Sequence, residues 1–327
     1  MRFTVDMKIG DIVSHPLFEQ MEGQFVSKPE GDWFLETGES RYEISLKDLQ
    51  KECIGWDPGD LLKGFERLAD IAEKREQYVY GLESGAKLIY MPADEKKTET
   101  VGIMCAGGGY TCVCTFIEAM PVAARLNELG MDCFLLNYRT GSCGLYPDGL
   151  MPRPLDDIAL AWRFIKDHQD EFGVDAENYI IAGYSAGGHA VGMWGTKKFG
   201  SRRYGIPVPR LLMPVYPFIG FDNRPFDRIK RSAENMFGKG YDESLLDRFT
   251  VSHQIDEGYP RTYIAHAVDD PAVTIQDSID LAAALQEKGV PYVFEKAPFG
   301  GHGFGLGTGS GAEGWVDRAL EFMEKQI

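Results

Sequence analysis

From residue 86 onward, short apolar segments rich in β-branched residues alternate with amphipathic segments of helical period. Residues 155–172 show that period well, with Ile158, Ala161, Trp162 and Ile165 on one stripe. Residues 179–183 are apolar at nearly every position, which suits a parallel strand covered on both faces. The alternation therefore predicts an α/β fold with a mostly parallel central sheet and helices on both faces.

The same pattern gives the positions of the individual elements. The predicted strands are residues 87–91, 100–105, 132–138, 179–183, 211–216, 261–267 and 291–296. The predicted helices are residues 118–129, 155–172, 186–196, 275–288 and 312–325.

Two segments interrupt the alternation and define the predicted organisation of the chain. Residues 1–78 form an N-terminal extension of unassigned role, in which Asp60 is expected to cap a helix that ends near Lys74. Residues 79–327 form the α/β domain, and within it residues 220–259 form a helix-capable insertion. Because the insertion follows the carboxyl end of a strand, where open α/β sheets bind ligands, we expect it to shape a pocket.

Charge and hydropathy limit the partners of this chain. Its 34 Lys and Arg residues against 50 Asp and Glu give a formal charge of -16, which repels nucleic acid and anionic membranes. The N-terminus lacks the apolar core of a signal peptide, and no apolar run approaches the length of a membrane span. We expect a cytoplasmic protein without nucleic-acid or membrane partners, and the sequence leaves the oligomeric state open, a homo-oligomer included.

The cysteines predict neither a disulfide framework nor a metal centre. Cys53, Cys105, Cys133 and Cys143 are expected to be free thiols in a chain of this length without a secretion signal. Cys112 and Cys114 are too close for a CxxC site and have no second pair nearby. The sequence predicts no metal ion and no cofactor.

Residues 179–189 join an apolar strand to a glycine- and alanine-rich helix through Gly183-Tyr184-Ser185-Ala186-Gly187, which matches GxSxG. A serine at such a turn is strained and exposed, and small residues two positions away on each side relieve backbone crowding. The start of the helix also directs backbone N–H groups at developing negative charge. The motif predicts Ser185 as a nucleophile.

A serine nucleophile needs a base and an orienting acid, which follow it in the order Ser, acid, His. Asp269 and Asp270 end a predicted strand, and we choose Asp270 because it directly precedes Pro271 and a turn. Asp269 is expected to be a capping or solvated residue. The glycine-rich loop of residues 298–311 presents His302, which we predict to be the base.

The segment CAGGGY at residues 105–110 follows a strand and supplies three consecutive glycines. Glycine there lets backbone amides approach a substrate without a Cβ in the way, as an oxyanion hole requires. The Ala186 amide would complete such a hole. Near this site we also expect a substrate pocket with aromatic walls, formed by Tyr110, Tyr184, Tyr216 and Phe218.

Other candidate sites are assigned structural roles. His189 and His266 fall inside a helix and a strand, and the paired Asp156 and Asp157 are expected to cap a helix rather than to act on glycosides. Residues 309–314 match GxGxxG, but they follow a loop and leave too little chain for a dinucleotide-binding unit.

Six segments, taken in order along the chain, carry a family resemblance. They are CAGGGY (105–110), LNYRTG (136–141), PLDDIALAWRFI (154–165), NYIIAGYSAGGH (178–189), AHAVDDPAV (265–273) and FGGHGFGL (299–306). The chain resembles the α/β-hydrolase superfamily of serine esterases, in the prolyl-oligopeptidase-like branch that includes acetyl esterases and acetylxylan esterases. The resemblance covers roughly residues 80–327. The chain departs from the family at one motif: the family's esterases often carry HGGG, whereas this chain has Ala106 before Gly107. This difference leaves open whether Gly108, Gly109 or Tyr110 donates to the oxyanion.

The resemblance implies a nucleophile at Ser185, a base at His302, an acid at Asp270 and oxyanion donors at Gly108, Gly109 and Ala186. The expected activity is hydrolysis of short-chain carboxylic esters through an acyl-enzyme, with acylated sugars or oligosaccharides as the expected substrates. A neutral histidine base implies activity rising between roughly pH 6 and 8. The alternatives are a peptidase or arylformamidase with the same triad, or a non-catalytic binding protein on this fold.

Overall fold

The computed structural model describes residues 2–27, 40–51, 55–141, 145–224 and 226–325, and a central sheet organises them. The sheet has eight strands in the order β1-β2-β4-β3-β5-β6-β7-β8. Strand β2 is antiparallel to β1 and β4, and the remaining pairs are parallel. The strands are β1 Val79–Gly81, β2 Lys87–Met91, β3 Thr100–Cys105, β4 Asp132–Asn137, β5 Asp175–Tyr184, β6 Leu211–Val215, β7 Thr262–Ala267 and β8 Tyr292–Ala297.

Helices connect the strands and extend at both ends of the chain. The α-helices are α1 Ile9–Val13, α2 Leu46–Leu49, α3 Pro58–Lys74, α4 Ala119–Glu128, α5 Arg153–Asp167, α6 Gln169–Phe172, α7 Ala186–Trp194, α8 Phe226–Phe237, α9 Ser244–Arg248, α10 Ile275–Glu287 and α11 Trp315–Glu324. Short 3₁₀ helices occur at Pro16–Met21, Arg41–Glu43, Ser201–Tyr204 and Val251–Gln254. The predicted alternation of strands and helices is confirmed.

Helix caps and helix boundaries differ from the sequence expectation at three places. Asp57, not Asp60, caps α3, because its side chain accepts a hydrogen bond from the Asp60 amide at 3.0 Å and Pro58 occupies the first helical position. The predicted helix 155–172 begins at Arg153 and is interrupted at His168, giving α5 and α6. Neither Asp156 nor Asp157 caps α5; Asp157 is buried against Arg139, and Asp156 accepts a hydrogen bond from Tyr204.

The N-terminal segment shares a continuous core with the α/β part. Phe65 on α3 contacts Phe3, Phe18 and Phe25 of the N-terminal segment, with ring centroids 5.3 to 6.5 Å apart. On its other side, Phe65 lies 5.4 Å from the ring of Phe116, which precedes α4. Aromatic side chains of this size contribute strongly to a core, so helix α3 is fastened to α4 by buried apolar contact.

Two further expectations concern the whole chain. Within the described ranges no disulfide is formed, and Cys53 and Cys143 lie outside those ranges. The Sγ atoms of Cys112 and Cys114 are 3.7 Å apart. No helix in the described part of the chain combines the length and apolar character needed to cross a membrane.

Candidate active site

Ser185 lies at the sharp turn between β5 and α7, with φ 52° and ψ −115°. This conformation is rare for a residue with a side chain and raises the serine above the carboxyl edge of the sheet. A Cβ on Gly183 would approach the Gly187 carbonyl oxygen to 2.2 Å, and one on Gly187 would lie 2.0 Å from the Cys105 carbonyl oxygen. Both motif glycines are therefore required because backbone segments meet there without room for a side chain.

Ser185, His302 and Asp270 form a hydrogen-bonded chain. The Ser185 Oγ lies 2.9 Å from His302 Nε2, and His302 Nδ1 lies 2.7 Å from Asp270 Oδ2. The Asp270 carboxylate is fully buried, and it also accepts hydrogen bonds from the Ala272 and Val273 amides. Burial opposes ionisation, but the hydrogen bonds from His266 and His302 hold the pKa of Asp270 well below its usual range.

The loop that carries His302 is held on several sides. Asp269 accepts a hydrogen bond from the Gly301 amide at 2.9 Å, so it anchors this loop. A Cβ on Gly303 would lie 2.6 Å from Nε1 of Trp56, which places the N-terminal segment directly against the loop. Further along, Thr308 donates a hydrogen bond to the buried Asp60 of α3 at 2.9 Å. The glycine-rich stretch is thus a docked loop whose far end rests on α3.

The glycine loop after β3 faces the serine. Gly109 and Tyr110 have positive φ values of 61° each, and both line the cavity in front of Ser185 together with Ala186. Neither Gly109 nor Ala186 donates its amide hydrogen to another described residue. Backbone amides that face a cavity in this way can bind a developing oxyanion.

The cavity above Ser185 has a volume of about 190 Å³. The insertion contributes three of its wall residues, Arg224, Ser232 and Met236, and Phe218 adds an aromatic surface. Ala272, Val273 and His302 also line the cavity. A space of this size suits a small acyl group.

Three predicted site residues do not line this cavity. Tyr184 and Tyr216 are fully buried, so the structure does not place them in the pocket wall. Tyr184 is the last residue of β5 and points into the core, whereas the Tyr216 ring packs 5.0 Å from the His302 ring. Gly108 also lies outside the cavity wall, and its carbonyl accepts hydrogen bonds from the Thr111 and Cys112 amides.

Comparison with protein-family models assigns the chain to a family. The model of the prolyl oligopeptidase family matches residues 152–327, more than half of the chain, and the BD-FAE model matches residues 88–205. The chain belongs to the prolyl oligopeptidase family. The predicted resemblance is confirmed, and residues before position 88 lie outside both matches.

Two relatives are similar to this chain over most of its length. This member of the prolyl oligopeptidase family is 28% identical over 234 residues to endo-1,4-beta-xylanase B of Butyrivibrio fibrisolvens and 27% identical over 244 residues to acetylxylan esterase of Xylanibacter ruminicola. The alignments cover 69% and 72% of this chain but only 35% and 48% of those relatives.

Solved structures confirm the predicted α/β-hydrolase fold. The acetyl ester-xyloside bifunctional hydrolase of Caldicellulosiruptor lactoaceticus has a TM-score of 0.60 at 27% identity, covering 72% of this chain and 85% of its own. An α/β hydrolase from a Medee basin deep-sea metagenome has a TM-score of 0.53 at 20% identity, covering 76% and 90%. The second likeness supports the fold alone.

In this prolyl oligopeptidase family member, sequence patterns did not reveal the part played by His266. Its Nε2 lies 3.1 Å from both Asp270 Oδ2 and the Val273 carbonyl, while Nδ1 lies 2.8 Å from Ser278 Oγ. Because the Val273 carbonyl only accepts, Nε2 carries the proton and donates it toward Asp270. The spacing of four residues from His266 to Asp270 was the available clue.

His189 has the structural role that was expected of it. It is buried in α7, with Nε2 2.7 Å from the Phe249 carbonyl and Nδ1 2.7 Å from the Tyr110 hydroxyl. Burial lowers the pKa of His189 to about 4, so the ring is neutral and accepts the Tyr110 proton on Nδ1. It therefore helps to hold Tyr110 at the cavity wall.

Within the described ranges, no group of three or more histidine, cysteine, aspartate or glutamate side chains is arranged to bind a metal ion. The chemistry available at the site is that of a serine hydroxyl, an imidazole and a buried carboxylate.

Proposed function

We propose that this chain is a serine hydrolase that cleaves short-chain carboxylic esters, with Ser185, His302 and Asp270 as its catalytic triad. The observation that carries the proposal is the continuous path from Ser185 Oγ to His302 at 2.9 Å and from His302 to Asp270 at 2.7 Å. This path opens into a cavity beside the Gly109 and Ala186 amides, which donate to no other residue in the described part of the chain. Nucleophile, base, orienting acid and oxyanion donors are the parts that acyl transfer needs.

The proposed reaction proceeds in two halves. Asp270 holds the proton on His302 Nδ1, so Nε2 is free to take the Ser185 hydroxyl proton as Oγ bonds to the ester carbonyl carbon. The carbonyl oxygen becomes an oxyanion on the Gly109 and Ala186 amides. Its collapse breaks the bond to the alcohol, which leaves with the proton from Nε2. Water, deprotonated by the same nitrogen, then attacks the acyl carbon. The bond to Ser185 Oγ breaks as Oγ takes the proton back from Nε2, and the carboxylic acid is released.

For the substrate we propose acetyl esters of sugars or oligosaccharides. The names of the relatives, a xylanase, an acetylxylan esterase and an acetyl ester-xyloside hydrolase, support this class. The cavity volume of about 190 Å³ accommodates an acetyl group. Arg224 and Ser232 on the insertion line the cavity with groups that can donate hydrogen bonds to a sugar hydroxyl.

A second candidate is amide hydrolysis by the same triad, as in a peptidase or an arylformamidase. The match to the prolyl oligopeptidase family favours it. A panel of acetylated xylo-oligosaccharides, feruloyl esters, N-formylkynurenine and aminoacyl anilides ranks the two candidates by kcat/KM. Highest kcat/KM on an anilide or on N-formylkynurenine would reject the ester proposal.

Ser185→Ala tests the assignment of the nucleophile. We expect a loss of p-nitrophenyl acetate turnover by at least about 10³-fold and a complete loss of fluorophosphonate labelling, because the residual rate comes only from binding and the oxyanion hole. Thermal unfolding should be unchanged. Ser232→Ala, which also removes a cavity hydroxyl, is the matched control and should retain labelling. Undiminished hydrolysis by Ser185→Ala would refute the proposed triad.

A further inference from the structure

Arg224 is the residue through which the insertion brings a permanent positive charge close to the nucleophile. It lies between β6 and α8 and lines the cavity above Ser185, as does Ser232 of α8. Among the described residues that line this cavity, Arg224 and His302 can carry a positive charge, and none is a carboxylate. An anionic group that enters the cavity therefore meets no like charge in the described wall.

The guanidinium of Arg224 is held against a second wall residue. Its Cζ atom lies 4.4 Å from the centroid of the Phe218 ring, which is the distance of a cation–π contact. Phe218 is itself fixed, because its amide donates a hydrogen bond to the Ser185 carbonyl at 3.1 Å and its ring stacks on His189 at 5.0 Å. These contacts position the charge of Arg224 relative to the nucleophile.

Behind the guanidinium lies the buried carboxylate of Asp277. Its Oδ2 is 3.9 Å from an Arg224 Nη, which allows charge attraction but exceeds the length of a hydrogen bond. Asp277 accepts hydrogen bonds from the Ile219 amide at 3.0 Å and from the Asn223 side chain at 3.2 Å. Arg224 therefore compensates the charge of Asp277 at a distance, and this ion pair is not a hydrogen bond.

A guanidinium at this place is suited to a carboxylate ligand. Its N–H donors lie in one plane and can bind both oxygens of a carboxylate at once, and such a charged pair is stronger than a hydrogen bond to a neutral hydroxyl. The chain as a whole does not attract anions, because its formal charge is -16. Selection of an anionic substrate therefore requires a local cation, and Arg224 supplies one at the cavity.

We propose that Arg224 determines specificity by binding a carboxylate of the substrate, so that the site prefers esters that carry a carboxylate close to the ester group. Two sources supply this chemistry. In the acetyl ester of an acidic sugar the alcohol carries the carboxylate, and in the half-ester of a dicarboxylic acid the acyl group carries it. The inference rests on the proposed ester hydrolysis and names its substrate class.

Matched substrate pairs test the preference with the wild-type chain. On the alcohol side, mono-O-acetyl glucuronate is compared with mono-O-acetyl glucuronamide, in which a neutral amide replaces the carboxylate. On the acyl side, mono-p-nitrophenyl succinate is compared with p-nitrophenyl levulinate, in which a methyl ketone replaces it. We expect kcat/KM to be about 10- to 100-fold higher for the carboxylate member of at least one pair, as a hydrogen bond between charged groups provides. The pair that responds identifies the source of the carboxylate.

Variants of the insertion assign the preference to Arg224. Arg224→Gln should abolish it, mainly through a higher KM for the carboxylate member, with little change in kcat/KM for the neutral member. Arg224→Lys keeps the charge but loses the planar donor group, so it should retain part of the preference. Arg231→Gln is the matched control, because it removes the same charge from an exposed position on α8 and should keep the wild-type preference.

A purely structural role through Asp277 predicts a different result. Arg224→Gln would then leave a buried carboxylate without its cation and reduce kcat/KM equally for both members of a pair. That equal reduction would overturn the inference, as would equal kcat/KM for the charged and neutral members of both pairs in the wild type. Should Arg224→Gln fail to fold, as judged by circular dichroism, the double variant Arg224→Gln/Asp277→Asn takes its place, because it removes the buried charge together with its cation.

The outcomes distinguish this inference from the proposed function. If the wild-type chain hydrolyses p-nitrophenyl acetate and Ser185→Ala does not, the triad stands whatever the substrate pairs show. Equal kcat/KM within both pairs then refutes only the role of Arg224. If Ser185→Ala remains active, the proposed triad fails and the inference fails with it.

Discussion

At the scale of single residues, the two aspartates after β7 show how neighbours of identical chemistry acquire different roles. Asp270 is buried and hydrogen-bonded to His302 and His266, whereas Asp269 is exposed and accepts a hydrogen bond from the Gly301 amide. The sequence favoured Asp270 because of the following proline. For His266 the only clue was its spacing of four residues from Asp270, because a histidine inside an apolar strand finds its partners only once β7 and α10 are packed together.

Asp270→Asn should lower kcat by about 10⁴-fold, because the amide cannot hold the productive tautomer of His302 and stabilise its charge. Asp269→Asn is the matched control. It retains an accepting oxygen for Gly301, and exchanging a charged for a neutral acceptor costs roughly 1 kcal/mol, or about fivefold in kcat. Both are measured as p-nitrophenyl acetate turnover at pH 8. Equal losses in the two variants would contradict the assignment of the acid.

At the scale of elements, the order of strands and the path from strand to serine to helix were predictable because they depend on local periodicity and on the crowding at GxSxG. Elements that depend on contacts with residues distant in the sequence were not predictable. Strand β1 is three residues long and exists through pairing with β2, and the Asp57 cap was missed although Pro58 was a usable clue. For the same reason Tyr184 and Tyr216 were placed in the pocket, since sequence proximity does not reveal which way a ring points.

The glycine-rich loop offers a test of how an element positions the base. Gly303 and Gly309 have φ values of 82° and 72°, so alanine at either position costs about 1 to 2 kcal/mol of backbone strain. At Gly303 the new Cβ would also collide with Trp56, whereas at Gly309 it would meet nothing within 4 Å. We expect both variants to unfold at a lower temperature and only Gly303→Ala to lose kcat, by about tenfold or more. Equal kcat in the two variants would show that contact with Trp56 does not position His302.

At the scale of the whole molecule, the boundary predicted at residue 78 does not coincide with a boundary in the core. Residues 1–78 lie outside both family matches, yet Phe65 of α3 packs on Phe116, just before α4, and Asp60 and Trp56 contact the His302 loop. Sequence alone left open whether this segment packs on the α/β part, covers the pocket or forms a dimer. The contacts of the described residues support the first of these, and we propose that the segment is a structural part of the α/β domain.

Removal of residues 1–78 therefore should abolish cooperative thermal unfolding and ester hydrolysis together, because it exposes the apolar surface under α3 and frees the loop that carries His302. Phe65→Ala in the full chain is a milder change that removes one of the side chains holding α3 in the core. It should lower the free energy of unfolding by about 3 to 5 kcal/mol, as loss of a buried phenylalanine does, while leaving kcat unchanged in the fraction that remains folded. Urea unfolding measures the first quantity and active-site titration with a fluorophosphonate corrects the second. A truncated chain with wild-type unfolding temperature and turnover would instead make residues 1–78 an accessory element.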